Sequence, residues 1–186
     1  VMIAPNLLRG ENVRLTAVTS NDMPVITRWW SDPDFLRLYN TAPAVPLNED
    51  QLSRRFETSH TSPDNFLFAV RPLEDDELIG LLEFDGVVWA HRTTFVSIGI
   101  GEARHRGRGY GREAMQVGLN FVFNELNLHR VCLTVFSYNT AAIALYEALG
   151  FVREGVYREH LERDGRRHDM ILYGLLRPEW LGNNPP

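Results

Sequence analysis

The first third of the chain carries the hydrophobic pattern of one strand followed by two helices. Apolar and polar side chains alternate over residues 13–18, which predicts a half-buried strand. Residues 20–22 offer polar N-caps for a first helix, which residues 31–33 are predicted to end or to kink. A second helix is predicted over residues 48–56, and the proline-rich residues 39–46 between the two helices are predicted to form a loop.

The pattern changes to strand periodicity at residue 65. Apolar runs separated by turn residues predict an antiparallel meander, with strand segments at residues 66–70, 78–84, 87–89 and 95–100. Apolar residues then recur at intervals of three and four, which predicts a helix with a broad apolar face over residues 112–126. Residues 130–136 return to the pattern of a strand.

The last quarter of the chain predicts a helix and a hairpin. Apolar residues at helical spacing between residues 141 and 148 precede Gly150, which lies where a C-terminal glycine cap is favoured. The Asp164-Gly165 pair is a hairpin-turn signal between strands predicted at residues 151–161 and 168–176. No repeat or linker interrupts the pattern, so a single domain is predicted over residues 1–186, with segments at residues 1–64, 65–136 and 137–182 and a tail at residues 183–186.

Composition limits the classes of function. The formal net charge of −5 argues against a protein that coats nucleic acid, and no apolar run approaches the ~20 residues of a membrane-spanning helix. All 19 basic residues are arginines, which excludes a lysine nucleophile. The one cysteine, Cys132, excludes an intrachain disulfide and is predicted to be a core residue, while His160 and His168 lack a third partner, so no metal site is predicted. Residues 1–5 do not resemble a signal peptide, which favours the cytoplasm.

A cluster of arginines and glycines between residues 104 and 112 predicts an anion site. It lies at the predicted junction of a strand and a helix. Glycines at positions 107, 109 and 111 allow tight turns and close approach of a ligand, and the first amides of the following helix lack intrahelical acceptors. Both features favour an anion at this junction. The spacing matches neither a P-loop nor a dinucleotide-binding fingerprint, and a solvated surface turn is the alternative.

Two motifs in order give the chain a resemblance to the GNAT superfamily of acyl-CoA-dependent N-acyltransferases. Arg106, Gly109 and Gly111 match the family's Q/R-x-x-G-x-G/A signature at the junction of a strand and a helix. Residues 139–151 resemble its N-x-x-A-x-x-x-Y-x-x-x-G-F segment. The C-terminal part is similar to the RimJ/RimL-like branch, which includes ribosomal-protein-alanine N-acetyltransferases.

The resemblance implies both a fold and a co-substrate. The fold is α+β (mixed α/β), with a twisted, mostly antiparallel sheet of about seven strands, about four flanking helices, and a V-shaped splay between the strands before and after the cofactor helix. The co-substrate is acetyl-CoA (coenzyme A), with its pyrophosphate on the glycine loop. The residues implied to bind it are Ile98, Gly99, Ile100, Arg106, Gly107, Arg108, Gly109, Tyr110, Gly111, Arg112, Asn139, Ala142 and Tyr146. For Asn139, capping of the following helix is a second role.

The implied reaction is direct attack of an amine on the acyl thioester, in which holding the two reactants together supplies much of the rate. Tyr146 is the residue that the resemblance places beside the thioester sulfur, with packing at the edge of the core as the alternative. Related sequences often carry a glutamate on the strand before the loop, where this chain has Ser97, which cannot act as a base unaided. Glu83 or Asp85 acting through water, or an amine that arrives deprotonated, are the alternatives.

The acceptor is predicted to be a primary amine, either a protein N-terminus or a small amine such as a polyamine or an aminoglycoside. The acidic charge balance favours the cationic small amines. Trp29, Trp30, Tyr39 and the proline-rich loop are predicted to form the acceptor wall, with core packing as the alternative, above all for the two tryptophans. The missing glutamate leaves open a non-catalytic acyl-CoA-binding or interaction module on the same fold. Related enzymes are often dimers, so a homodimer through the C-terminal hairpin is a candidate state.

Overall fold

The chain folds around one seven-stranded sheet. The computed structural model describes residues 6–60 and 62–183. The expectation that residues 1–5 are not a signal peptide concerns residues outside the described part of the chain. Residues 184–186 of the predicted tail also lie outside it.

The strands of the sheet hydrogen-bond in the order β1-β2-β3-β4-β5-β7-β6. They are β1 (Val13–Thr16), β2 (Phe66–Pro72), β3 (Gly80–Val88), β4 (Thr93–Ile100), β5 (Arg130–Phe136), β6 (Val152–Arg163) and β7 (Arg166–Leu176). Every neighbouring pair is antiparallel except β4 and β5, which are parallel. The mostly antiparallel sheet, the meander β2-β3-β4 and the C-terminal hairpin are therefore confirmed.

The segments predicted as separate strands at residues 78–84 and 87–89 form the single strand β3. A shift of register between Asp85 and Val88 marks a bulge, and Gly86 within it has a φ of +60°. Glycine adopts this left-handed conformation without the steric penalty that a side chain would bring. The strand therefore continues through residues that have the composition of a turn.

Six helices accompany the sheet in the described part of the chain, against about four expected. They are α1 (Met23–Trp30), α2 (Pro33–Tyr39), α3 (Glu49–His60), α4 (Tyr110–Asn120), α5 (Thr140–Ala148) and α6 (Arg177–Asn183). The helix predicted over residues 112–126 begins earlier, at Tyr110, and ends in a π-helical turn, Phe121–Glu125. The helices α2 and α6 were not predicted from the sequence. The helix α6 includes Asn183, which was predicted to be the first residue of the tail.

The residues that predict a break after α1 begin a new helix instead. The Asp32 side chain accepts a hydrogen bond from the amide of Asp34 (2.9 Å), and Pro33 occupies the first helical position, where no amide donor is needed. At the other end of the chain, the indole of Trp180 donates a hydrogen bond to Asn120 (3.0 Å) and its ring is 2% exposed. This contact anchors α6 to the end of α4.

Side chains alternate between the two faces of the sheet, and each face has its own helices. Val70 and Leu82 point to the face covered by α4, α5 and α6, where the larger core cluster lies. Their neighbours Ala69 and Leu81 point to the opposite face, covered by α1, α2 and α3. Gly118 lets α4 lie close to the sheet, because a Cβ there would be 2.4 Å from Leu82.

The parallel strands β4 and β5 pair only near their first residues. Residues 93–95 lie opposite residues 130–132, and the recorded pairing of these two strands stops there. Both strands run on, β4 to Ile100 alongside β3 and β5 to Phe136 alongside β7. The two strands therefore separate, which confirms the V-shaped splay.

Glu113 on α4 fastens this helix to the segment before β1. Its carboxylate accepts hydrogen bonds from the backbone amide (2.6 Å) and the side-chain amide (2.9 Å) of Asn12. Burial raises the pKa of Glu113, but the hydrogen bonds from Asn12 outweigh it and the net shift of the pKa is downward. The charged carboxylate is therefore the form that stabilises the fold.

We expect Glu113→Ala to lower the free energy of unfolding by about 1–3 kcal/mol at pH 7, because two amide donors lose their acceptor. A depressed pKa contributes stability above the unfolded value of about 4.3, and this contribution is lost as the pH falls through the folded value. The difference from the wild type should accordingly shrink below about pH 4 in urea denaturation curves. The exposed Glu125→Ala is the control, and equal losses in the two variants would contradict the role of Glu113.

Candidate active site

A cleft of about 660 Å³ opens where β4 and β5 separate. One end lies against the loop before α4 and the first half of α5, on one face of the sheet. The other end lies under the C-terminal end of α2, on the opposite face. The edge of β4 can therefore be reached from both faces, so that two reactants can meet there.

Most of the residues predicted to bind the cofactor or to catalyse line this cleft. They are Ser97, Ile98, Gly99, Ile100, Arg106, Gly107, Gly109, Gly111, Arg112, Asn139, Ala142 and Tyr146. Glu83 instead lines a smaller adjoining pocket. Arg108 and Tyr110 lie outside the cleft lining and contact each other, with the guanidinium 5.3 Å from the ring centroid.

The loop before α4 is shaped by two glycines and one arginine. Gly107 and Gly109 have φ angles of +71° and +88°, which strain other residues, and Gly109 is the N-cap of α4. The Arg106 side chain turns back and donates hydrogen bonds to the carbonyls of Ile100 (2.9 Å) and Gly101 (2.7 Å). Arg106 thereby braces the end of β4, while the first amides of α4 are left for an external acceptor.

His105 lines the same end of the cleft and is absent from the predicted residues. Its side chain is 9% exposed, and neither ring nitrogen has a hydrogen-bond partner in the part of the chain that the structure describes. The Nε2 atom lies 3.5 Å from the carboxylate of Glu77, which also pairs with Arg104. A buried imidazole without hydrogen bonds can donate to an anion that binds beside it. Its position within the arginine-glycine loop is the sequence signal that points to it.

The edge of β4 offers backbone groups to the cleft. Residues 96–100 pair with β3 on one side, whereas their other side faces the splay. Amide and carbonyl groups on such an edge can hydrogen-bond an extended ligand that itself carries amides, as in strand addition. Gly111 on α4 lies beside this edge, since a Cβ there would be 3.6 Å from the Ile100 side chain. The loop and the edge therefore fit a long ligand with an anionic group at one end.

Tyr146 and Asn139 come from α5. Tyr146 is 6% exposed, and burial raises its pKa to about 12, so its hydroxyl keeps its proton at neutral pH. The Asn139 side chain accepts a hydrogen bond from the amide of Ala142 (3.2 Å), which confirms the capping role. Both residues also line the cleft.

A polar cluster lies on the α2 side of the cleft. Ser97 on β4 is directly opposite Glu83 on β3, and Ser97 and Tyr39 both line the cleft. Burial, followed by the negative charge of Glu83, raises the pKa of Tyr39 well above its ordinary value. Tyr39 therefore stays neutral, and its ring covers Gly99, where a Cβ would lie 2.8 Å from the ring.

Two carboxylates flank this cluster. Asp85 lines the cleft itself, and partial burial raises the pKa of its carboxyl. Glu83 lines the adjoining pocket of about 180 Å³, together with Trp30 and Arg55. Tyr39 borders both spaces, so the α2 side consists of one cleft with a side pocket.

The residues predicted to form the acceptor wall lie in three different places. Tyr39 lies in the cleft wall and Trp30 in the wall of the side pocket. Trp29 is 3% exposed and packs over Gly101, so core packing is its role. The helix α2, which was not predicted as a separate helix, also contributes Leu38 to the cleft. The Asp-Pro pair at the start of α2 is the sequence feature that could have indicated this helix, because the pair is favoured at a helix N-terminus as well as at a break.

Three other predictions concern residues outside the cleft. Cys132, predicted to be a core residue, is half-buried and receives a hydrogen bond from Arg130 (3.1 Å). Over residues 6–60 and 62–183, no three His, Cys, Asp or Glu side chains are grouped so that they could hold a metal ion. His160 and His168 instead lie beside tyrosine rings. In the same part of the chain, no helix is both long and apolar enough to cross a membrane.

Several known proteins are similar to this chain over most of its length. Spermidine N(1)-acetyltransferase from Vibrio cholerae is 28% identical over 183 residues, covering 96% of this chain and 94% of that protein. Its crystal structure in complex with CoA and spermine superposes with a TM-score of 0.84 at 27% identity, covering 92% of this chain and 99% of that chain. [Ribosomal protein uS5]-alanine N-acetyltransferase from Escherichia coli is 26% identical over 122 residues, covering 65% of this chain and 62% of that protein.

A cleft that is open to both faces of a splayed sheet suits an enzyme that joins two substrates without a covalent enzyme intermediate. The chain also matches the acetyltransferase (GNAT) domain model over residues 12–152. It therefore belongs to the GNAT acetyltransferase family, and it is an acetyl-CoA-dependent N-acetyltransferase that transfers the acetyl group to an amine. The non-catalytic alternative is not supported by these relatives.

Proposed function

We propose that the acceptor is a polyamine such as spermidine or spermine and that it enters the cleft from the α2 side. The observation that carries this is the position of Asp85 in the cleft, with Glu83 close by in the side pocket. Two carboxylates near one opening favour a ligand with more than one ammonium group. Because Arg55 also lines the side pocket, we place the reacting ammonium beside Asp85.

The similarity to spermidine acetyltransferase over nearly the whole chain supports the same acceptor class. A protein N-terminus is the second candidate, as in the RimJ/RimL-like branch. The similarity to the ribosomal-protein-alanine enzyme favours it, but that similarity covers a smaller part of the chain. The polyamine is therefore the acceptor that we place first.

On the opposite face, we assign the coenzyme to the loop and the edge of β4. The first amides of α4, with Gly107, Gly109 and Gly111, would hold the pyrophosphate. The open edge of residues 97–100 would hydrogen-bond the pantetheine amides, and Asn139 would contact it from α5. Acetyl-CoA, when bound, supplies an acetyl thioester to an amine on the α2 side. The splay thereby fixes the distance between the two reactants.

Tyr146 is the proposed hydrogen-bond donor to the departing sulfur. Its pKa of about 12 keeps the hydroxyl protonated, so the donor is present at every neutral pH. A phenol with this pKa is a weaker acid than a thiol, whose ordinary pKa is about 8.5. Tyr146 therefore stabilises the sulfur through a hydrogen bond and retains its own proton.

Asp85 and Glu83 are the proposed acceptors of the amine proton, acting through water. Asp85 comes first because it lines the cleft and because its raised pKa makes it a stronger base than a carboxylate of ordinary pKa. Ser97 lies directly opposite Glu83 and receives no role as a base.

The acceptor class can be tested with acetyl-CoA and a panel of spermidine, spermine, an aminoglycoside and a peptide with an N-terminal alanine. Release of free thiol gives the rate, and mass spectrometry of each amine identifies the acetylated product. We expect the largest kcat/KM for a polyamine. A preference for the peptide would replace the polyamine by the second candidate. Coenzyme A binding with no turnover on the whole panel would support a binding module instead.

The role of Asp85 predicts the effect of one substitution. We expect Asp85→Asn to raise the KM for spermidine about tenfold at low salt and by less at high salt, because exposed charges are screened. The pKa of Asp85 is raised, so its carboxylate becomes protonated at a higher pH than an ordinary carboxylate does. The wild type should therefore lose affinity for spermidine as the pH falls through the pKa of Asp85. Steady-state kinetics at several pH values measure both effects. Glu57→Gln, an exposed change on α3, is the control, and equal KM values for the two variants would remove Asp85 from the acceptor site.

A further inference from the structure

The tip of the β6-β7 hairpin is fastened to the segment that follows α2. Arg163, the last residue of β6, places its Nη2 atom 3.2 Å, 3.4 Å and 3.1 Å from the carbonyl oxygens of Asn40, Thr41 and Ala42. One cationic nitrogen thus serves three consecutive carbonyls of an irregular segment. Hydrogen bonds from a charged donor are stronger than those between neutral groups. We call Asn40, Thr41 and Ala42 the cover segment.

Two further contacts fasten the end of α2 at the same place. The hydroxyl of Tyr138, between β5 and α5, donates a hydrogen bond to the carbonyl of Arg37 (2.6 Å). The Arg37 side chain pairs with Asp164 in the hairpin turn. These contacts join residues more than 100 positions apart in the chain. The exposed pair of Arg37 and Asp164 is screened by solvent, so Arg163 and Tyr138 carry most of the attachment.

The conformation of the hairpin turn directs the Arg163 side chain toward the cover segment. Asp164 and Gly165 have φ angles of +53° and +70°, the arrangement of a tight two-residue turn. Such a turn fixes the register of the two strands and therefore the direction of the residue before it. The Nε atom of Arg163 is buried without a hydrogen-bond partner in the described chain, so the contacts of the group run through Nη2.

The cover segment and the end of α2 form part of the cleft wall on the acceptor side. Tyr39, Asn40 and Thr41 line the cleft, and Asn40 lines the side pocket as well. Arg163 itself is absent from the lining of either space. Its hydrogen bonds to the segment all go to backbone carbonyls, so its effect on a reaction in the cleft passes through the position of Tyr39 and Asn40.

We propose that Arg163 is a positioning residue that holds the cover segment over the acceptor side of the cleft and thereby sets the affinity for the amine. This inference rests on the proposed entry of the amine from the α2 side. The inference predicts different effects on the two substrates, because the coenzyme loop lies on the other face of the sheet. Loss of Arg163 should therefore weaken the binding of the amine and leave the binding of the coenzyme unchanged.

The test compares Arg163→Ala with Arg167→Ala, which removes the same charge from the same hairpin where Arg167 pairs with Glu162. We expect Arg163→Ala to raise the KM for the amine about tenfold, with the dissociation constant for coenzyme A within about twofold of the wild type. Arg163→Lys should recover part of the loss, since an ammonium also donates to carbonyls but lacks the planar fork. Tyr138→Phe removes one hydroxyl from another element and should act in the same direction more weakly.

Hydrogen exchange tests the attachment without turnover. Amides of residues 38–42 should exchange faster in Arg163→Ala than in the wild type or in Arg167→Ala. Unchanged exchange would overturn the attachment, even in a preparation that acetylates no amine. Faster exchange with an unchanged KM for the amine, or an equal loss of coenzyme affinity, would overturn the positioning role. A wild type that acetylates no amine would instead count against the proposed function.

Discussion

Gly109→Val is expected to weaken the binding of coenzyme A by about 100-fold. The backbone conformation of residue 109 that suits the ligand is strained for valine, so the variant loop must adopt an unfavourable conformation in order to bind. Gly109 is the N-cap of α4 with a φ of +88°, and a β-branched residue pays a steric penalty in this region. Space is not the cause, since a Cβ at this position would have no atom within 4 Å. The loss should arise from misdirected amides at the start of the helix.

The measurement is titration calorimetry with coenzyme A, alongside thermal unfolding. Gly165→Val is the matched control, because Gly165 has a φ of +70° and equally open surroundings in the hairpin turn. Both variants should lose stability, and only Gly109→Val should lose coenzyme affinity. Unchanged affinity in a folded Gly109→Val protein would remove the loop from the coenzyme site.

Tyr146→Phe is expected to lower kcat by about 100-fold, because the departing sulfur loses its hydrogen-bond donor in the transition state. The ring and its packing against Phe151 are retained, so the cleft keeps its shape. Coenzyme affinity should change by less than about threefold, since the interaction is made mainly as charge develops on sulfur. Single-turnover kinetics separate this chemical step from product release.

Tyr173→Phe is the control for this variant. Tyr173 is a second buried tyrosine, 2% exposed, whose hydroxyl donates to Glu147 (2.7 Å) away from the cleft lining. Its loss should affect stability and leave kcat close to the wild type. The pKa of Tyr146 also predicts that kcat shows no loss from its ionisation below about pH 11. An unchanged kcat in Tyr146→Phe would leave the tyrosine as a packing residue.

The regular elements were predictable because their patterns are local. Residues 130–136 alternate strongly enough to give the bounds of β5, and the Asp164-Gly165 pair gives the hairpin. The helix α2 was missed because Asp32 and Pro33 stop one helix and start the next with the same chemistry. The strand β3 was divided because a bulge at Gly86 resembles a turn in composition.

The candidate site divides in the same way. The glycine loop and Tyr146 belong to contiguous motifs, and both line the cleft. His105 was overlooked because its burial and its unpaired nitrogens depend on the packing around it. Asp85 and Glu83 could not be ranked from the sequence, because strand alternation places both on one face but does not say which one reaches the cleft.

By itself, the sequence determined the order of most elements, the anion-binding character of the loop before α4, and the resemblance to N-acyltransferases. These properties depend on neighbouring residues and on spacing, which the chain carries in any conformation. Only the tertiary structure decided that the expected splay of β4 and β5 begins beyond Phe95, that Tyr39 lies over Gly99, and that Arg163 reaches the cover segment. The physical reason is that each of these features involves residues that are distant in the sequence, and only the packing of the whole sheet with its helices sets their relative positions.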